Sequence, residues 1–132
     1  MKRKLSDSFT SQEIERKEKN DCTVVALAYM CDISYEKAYK YLELHGRKKE
    51  KGMFFERFIS KMGYKLFNKK LIKMPKFNTL NQFLEANLNG NYLVMVRGHV
   101  FVVKDGKIFD THIKNYRIIN IYLIKEIINE YH

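Results

Sequence analysis

The ten residues Cys22-Thr-Val-Val-Ala-Leu-Ala-Tyr-Met-Cys31 have no polar face. A helix apolar all round belongs in the middle of a core, so this segment dictates the plan and the rest of the chain must be laid around it. Its apolar run, Val24 to Met30, is the longest in the sequence at seven residues, far short of the roughly 20 that cross a bilayer. The core is that of a globular domain, and no membrane partner is expected. A chain of 132 residues can build one such core and hardly two. With 45% apolar residues it can also offset the entropy of ordering. We expect a single domain over residues 20–132, preceded by a loosely ordered arm at 1–19, where charge alternates with few apolar residues and only Ser11 to Lys17 suggests a short helix. Met1-Lys2-Arg3-Lys4 is followed by polar residues instead of an apolar stretch, so no secretion signal is read and the expected location is the cytoplasm.

Helices occupy the first half. Asp21 is the expected N-cap of the buried helix. Ser34 caps a second helix carrying Tyr35, Ala38, Tyr39 and Leu42 at helical spacing, with Gly46 ending it. A third spans about Met53 to Met62, with Phe54, Phe55, Phe58, Ile59 and Met62 as its apolar stripe, read as core, and Gly63 at its end. The pattern then changes. Tyr64 to Phe67 is strand-like, Pro75 breaks the chain, and Thr79 caps a short helix through Leu80, Phe83 and Leu84. Tyr92 to Val96, His99 to Val103, Ile108-Phe109 and Tyr116 to Ile124 are β-branched and aromatic, and Lys104-Asp105-Gly106-Lys107 has hairpin-turn chemistry. Helices first and an antiparallel sheet second give an α+β fold.

The net charge of +10 is local. Residues 45–76 carry a net +9, against +2 for 1–20, −2 for 21–44 and +1 for 77–132. This stretch reads either as a solvated lysine-rich face or as a positive field for an anionic partner, nucleic acid or an acidic protein, with Arg47, Lys48, Lys49 and Lys51 as its leading edge. It contains no Gly-rich phosphate loop and no metal-ligand cluster, and neither metal nor cofactor is expected. The Cys-x8-Cys spacing is too wide for a zinc knuckle and two cysteines are too few for a disulfide scaffold, so each thiol needs its own account.

Cys22 opens the buried helix, where unpaired backbone N–H groups and the helix dipole favour an anion. A thiolate nucleophile needs an imidazole to hold it as an ion pair and later to protonate the leaving group. His99, following Gly98 at the mouth of a strand, is the best candidate. Asp110, one hairpin later, is placed to orient that imidazole, because strands centred on the Asp105-Gly106 turn set residues 99 to 103 against about 107 to 111. His112 is a rival base, and Cys22 also has a purely structural reading as a buried thiol. Cys31, about half a turn around the same helix from Cys22, is read as core. His45, at a helix end, complements the dipole there.

Asp21-Cys22-x-x-x-Ala26-Leu27-Ala28 opening a buried helix, then Gly98-His99-Val100-Phe101-Val102-Val103 opening a strand before Phe109-Asp110, resembles the papain-like cysteine peptidase superfamily. Within it the likeness is to the peptidase domains of bacteriocin-exporting transporters and to small phage-type proteins of the same build. The resemblance covers roughly Asn20 to Thr111. It implies a helical part carrying the cysteine packed on an antiparallel sheet carrying the histidine and acid. It also implies a Cys22-His99-Asp110 triad acting on a peptide or isopeptide bond of a peptide or protein substrate. The family usually places a glutamine about six residues before the cysteine, whose amide helps hold the oxyanion. Here that position is Arg16, and Gln12 is the only glutamine upstream, so the Asn20 amide and the Cys22 backbone N–H are the candidate oxyanion donors. Because a lost donor costs about 10²–10³ in turnover, the resemblance leaves open a retired enzyme that binds an anionic partner through 45–76. Acyl transfer and deamidation by the same residues also stay open.

Overall fold

The computed structural model describes residues 20–75, 77–110 and 114–127. The expected arm at 1–19, with Gln12 and Arg16, lies outside them. Three helices come first: α1 (Cys22–Cys31), α2 (Tyr35–Leu44) and α3 (Phe55–Lys61). Strands β1 (Lys65–Leu66) and β2 (Lys69–Lys73) come next, then α4 (Leu80–Glu85), β3 (Asn91–Val96), β4 (His99–Lys104), β5 (Lys107–Phe109) and β6 (Ile118–Glu126). The strands form one six-stranded sheet in the order β1-β2-β6-β3-β4-β5, every neighbouring pair antiparallel. The fold is α+β, with the N-terminal helices packed on an antiparallel sheet.

Both faces of that sheet are covered, which explains why β3 reads as an unbroken apolar run instead of an alternating one. Leu93 and Met95 face the larger core, built on α1, α2 and α3 with Val24, Leu27, Met30, Leu42 and Ile59. Tyr92, Val94 and Val96 face a second core under α4 with Leu80, Phe83 and Leu84. Burying this much apolar surface, at about 25 cal/mol per Å², is what holds the helices to the sheet.

Local capping agrees with the sequence at α2 and α4, where Ser34 Oγ accepts from the Lys37 N–H at 3.1 Å and Thr79 Oγ1 from the Gln82 N–H at 3.3 Å. At α1 it does not. Asp21 occupies the N-cap position, but its fully buried carboxylate accepts from the Tyr35 hydroxyl at 2.8 Å instead of capping. α3 begins two residues later than expected, which leaves Phe54 in the N-cap position and 78% exposed while Phe55, Phe58 and Ile59 stay in the core. The lysine-rich strand β2 has no counterpart in the sequence reading. Lys69, one of the residues assigned to the basic face, is buried in it and pairs with Glu126 at 2.9 Å.

Two turns and one irregularity set the positions of His99, Asp110 and Ile119. Val96 pairs with His99, so only Arg97 and Gly98 close the β3–β4 hairpin, and Gly98 takes the positive φ of +68° that favours glycine there. Asp105 and Gly106 both have positive φ, +47° and +81°, as a type I′ hairpin turn demands. Between β3 and β6 the register shifts: Met95 faces Asn120, yet Val96 faces Ile118. The extra residue is a β-bulge, which re-aims side chains and is common beside functional sites. Ile118 and Ile121 consequently share the α4 core although three residues apart.

Candidate active site

Cys22 is held at the head of α1 by a short polar scaffold. Asn20 takes a left-handed backbone, φ +57°, and turns the chain into the helix. Its carbonyl accepts from Arg47 Nη2 at 3.2 Å, and its side-chain amide donates to the Glu50 carbonyl at 3.2 Å, so the segment after α2 is tied to the residue two before the thiol. The first helical bond runs from the Val25 N–H to the Asp21 carbonyl, so the N–H groups of Cys22, Thr23 and Val24 have no acceptor a turn earlier in the helix. They give the head of α1 its positive potential. Cys22 itself is half-buried.

His99 and Asp110 meet, though not in the expected register. Val103 faces Ile108 and Val102 faces Phe109, a shift of one residue. Extended by one step, the pairing sets Asp110 beside Phe101, on the same side of the ribbon as His99. The expected pairing would have set it beside Val100, on the other side, since a one-residue slip exchanges faces. His99 Nε2 donates to Asp110 Oδ2 at 2.7 Å, and the acid is 4% exposed. The ring is further fixed by Phe101 and Tyr116, whose centroids lie 5.6 and 5.9 Å away. With Nε2 committed to Asp110, Nδ1 remains for Cys22, with which His99 makes a side-chain hydrogen bond. Burial pushes the His99 pKa down, but the hydrogen bonds that the ring donates to Asp110 and Cys22, together with the charges of both, outweigh it and lift the ring to about 9. An imidazole so placed is protonated at neutral pH and presents one N–H to a carboxylate and one to sulfur.

These groups open onto a cleft of about 860 Å³ lined by Asn20, Cys22, Thr23, His99 and a largely apolar wall. Phe54, Tyr64 and Ile119 in that wall are 78%, 38% and 46% exposed, so half of the large exposed hydrophobic side chains among the described residues gather beside the thiol. The β6 bulge supplies one of them: it directs Ile119 to the cleft while Asn120 donates to Glu56 of α3 at 2.9 Å. None of Phe54, Tyr64, Ile119 and Tyr116 is a site residue in the sequence reading. The adjacent pair Ile118-Ile119, breaking the alternation of β6, was the available signal for the bulge.

The remaining candidates divide. Arg47 is not a surface cation. It is 4% exposed, and its guanidinium lies 5.1 Å from the Tyr39 ring centroid and reaches the Asn20 carbonyl, so it is enclosed by the fold. Lys48, Lys49 and Lys51 are exposed on the segment between α2 and α3, and none of them lines the cleft. Cys31 is core: its Sγ lies 3.8 Å from the Leu66 carbonyl and burial pushes its thiol up to about 12. His45 sits at the end of α2, packed on Tyr41 and Phe58 at 4.7 and 5.4 Å. The rival base His112 lies outside the described residues. Among the described residues no group of three His, Cys, Asp or Glu side chains is placed to hold a metal, and no helix is long and apolar enough to cross a membrane. No family model, no curated protein and no solved structure matches the chain.

Proposed function

We propose that this chain is a small papain-like cysteine hydrolase acting on a peptide or isopeptide bond. The observation that carries the reading is His99, bonded on one side to buried Asp110 at 2.7 Å and on the other to Cys22, at the edge of an open cleft. Cys22 Sγ attacks the carbonyl carbon as a thiolate paired with the imidazolium. Charge developing on the carbonyl oxygen is met by the Cys22 backbone N–H at the positive end of α1 and by Asn20, which lines the cleft and has a second amide N–H besides the one given to Glu50. His99 then gives its Nδ1 proton to the leaving amine as the C–N bond breaks, which leaves a thioester on Cys22. Water attacks the thioester, His99 takes its proton, and the acid departs as the thiolate re-forms. Asp110 holds the ring orientation and stabilises the imidazolium throughout.

The test is labelling, then turnover. Iodoacetamide at pH 7 should alkylate Cys22 at least about 100-fold faster than Cys31, because the thiolate is the reactive form and a thiol near 12 supplies almost none. Peptide digests read by mass spectrometry should then show cleavage that Cys22→Ala removes. Equal, slow labelling of the two thiols overturns the proposal.

A further inference from the structure

The active-site cleft has a neighbour. A second pocket, of about 310 Å³, lies against it, and Gly52, Met53, Phe54 and Arg57 line both. Its chemistry differs. Where the first is walled mostly by apolar side chains, with Glu56 among the exceptions, the second is bordered by His45, Arg47, Arg57 and Lys61 around the Phe54 and Phe58 rings, and among the described residues no carboxylate lines it. Phe54, Arg57, Phe58 and Lys61 are spaced i, i+3, i+4, i+7, a single face of α3 and its N-cap residue. Arg57 stands 5.1 Å from the Phe54 ring centroid, so the exposed aromatic ring that borders both pockets carries a cation that borders both as well. Arg57 and Lys61 are like charges at i,i+4, an arrangement that disfavours the helix. Lys61 recovers part of that cost at the helix C-terminus, while Arg57 sits in the first turn, where a cation is disfavoured.

We propose that this pocket is a subsite for an acidic side chain of the substrate, so that the chain acts on peptides with an apolar residue lying over Phe54 and a glutamate or aspartate beyond it. The inference rests on reading the Cys22 cleft as a peptide groove and adds what that groove selects. A peptide is favoured over a nucleic acid by the local geometry. The pocket has side-chain dimensions and is continuous with an apolar wall. Of the other cations of the basic stretch, Arg47 borders the pocket but is 4% exposed and engaged with the Asn20 carbonyl, Lys65 and Lys70 face one another on the β1–β2 hairpin, and Lys69 is paired with Glu126.

The experiment uses the full chain carrying Cys22→Ala and a fluorescein-labelled alanine octapeptide with one central phenylalanine. A single glutamate is scanned along it, each peptide having a glutamine twin. Fluorescence anisotropy should show one glutamate position that binds at least 10-fold tighter than its twin, with the advantage shrinking as salt rises. Arg57→Gln with Lys61→Gln should abolish the advantage, and Arg57→Glu with Lys61→Glu should transfer it to the lysine-substituted peptide. Lys48→Gln with Lys49→Gln, which lies outside the pocket, should leave it intact. In the unsubstituted chain the favoured peptide should slow alkylation of Cys22. Equal affinity for the glutamate and glutamine twins overturns the proposal, as does an advantage that survives the Arg57/Lys61 change. Binding that leaves Cys22 alkylation unaltered overturns the shared groove. An oligothymidylate that displaces the peptide and loses its own affinity in the Arg57/Lys61 variant overturns the peptide assignment. Charge-selective binding without any turnover would instead sink the hydrolase reading and leave the subsite standing. Cleavage indifferent to the glutamate would do the reverse.

Discussion

Cys22 and Cys31 are the first and last residues of one ten-residue helix, and they are chemically opposite. Cys31 lies under β1, enclosed in the larger core, and burial lifts its thiol to about 12. Cys22 lies half-buried at the head of the same helix, bonded to an imidazole that is itself held at about 9. Both border the same apolar run, and the sequence separates them only by which end of the helix each occupies. The difference comes from what the second half of the chain delivers to each end: β1 covers one, and the mouth of β4 brings His99 to the other. On the function proposed above, a nucleophile is made by long-range packing, and the helix supplies only the end to which an anion is drawn.

Substitution of each thiol tests the contrast most strongly. Cys22→Ala should lower peptide turnover by about 10³-fold or more, because the covalent route is lost. Cys31→Ala should leave kcat/KM within about threefold and instead lower stability by about 1–2 kcal/mol through the small cavity it opens under Leu66. Urea melts and peptide cleavage read the two arms. A large catalytic loss at Cys31 would erase the distinction.

The two ends should also titrate in separate windows. The His99 pKa is raised from 6.5 to about 9 on folding, so the folded state binds the proton more tightly. Its contribution is full below pH 6.5, falls as pH rises through about 9, and amounts to as much as about 3 kcal/mol. Cys31 is an acid whose pKa is raised from 9.0, so its neutral burial costs stability only above pH 9. Urea midpoints should therefore fall between pH 6.5 and 8.5 in the unsubstituted chain and stay nearly level in His99→Ala. Asp110→Asn should lower the imidazole pKa seen by NMR, and Cys22→Ala should lower it further. A pH-independent midpoint over that window would remove the ion pair from the comparison.

Arg47 sharpens the contrast by acting on one end only. Replacing it with alanine strips a buried donor from the Asn20 carbonyl and should cost about 1–3 kcal/mol. It should also slow Cys22 alkylation several-fold while Cys31 stays unlabelled, and Arg47→Lys should restore part of the rate. If Arg47→Ala destabilises the fold yet leaves Cys22 reactivity unchanged, the polar scaffold supports the domain and not the thiol.

Much of this fold is legible in the residues. The apolar run from Cys22, the caps Ser34 and Thr79, and the Asp105-Gly106 turn each rest on local chemistry, and each element forms where that chemistry puts it. The meeting of His99 with Asp110 is legible only as a neighbourhood, because a single step of register decides which side of a ribbon an acid occupies, and that step depends on the turn geometry and the strands on either side. Arg47 escapes a sequence reading because its charge is counted without its neighbours: the Asn20 carbonyl and the Tyr39 ring that enclose it lie 27 and 8 residues away in the chain. Phe54 escapes it for the opposite reason. A stripe at helical spacing predicts burial only inside the helix, and the helix starts one residue after it.

The smallest expected effect concerns the residue next to the thiol. Thr23 is 2% exposed, and its hydroxyl finds no hydrogen-bond partner among the described residues although its neighbours Asn20 and Cys22 line the same cleft. A buried hydroxyl without a partner carries a desolvation cost that an apolar group of the same shape does not. Thr23→Val keeps the β-branch and the volume, so it should raise stability by up to about 1 kcal/mol in urea melts. If the hydroxyl has no part in the chemistry, the alkylation rate of Cys22 stays unchanged in this variant. If turnover falls while alkylation holds and stability rises, the hydroxyl is recruited only once substrate occupies the cleft. The active end of the helix would then differ from the buried end by one more group, kept at a cost to stability that Cys31 and its surroundings do not bear.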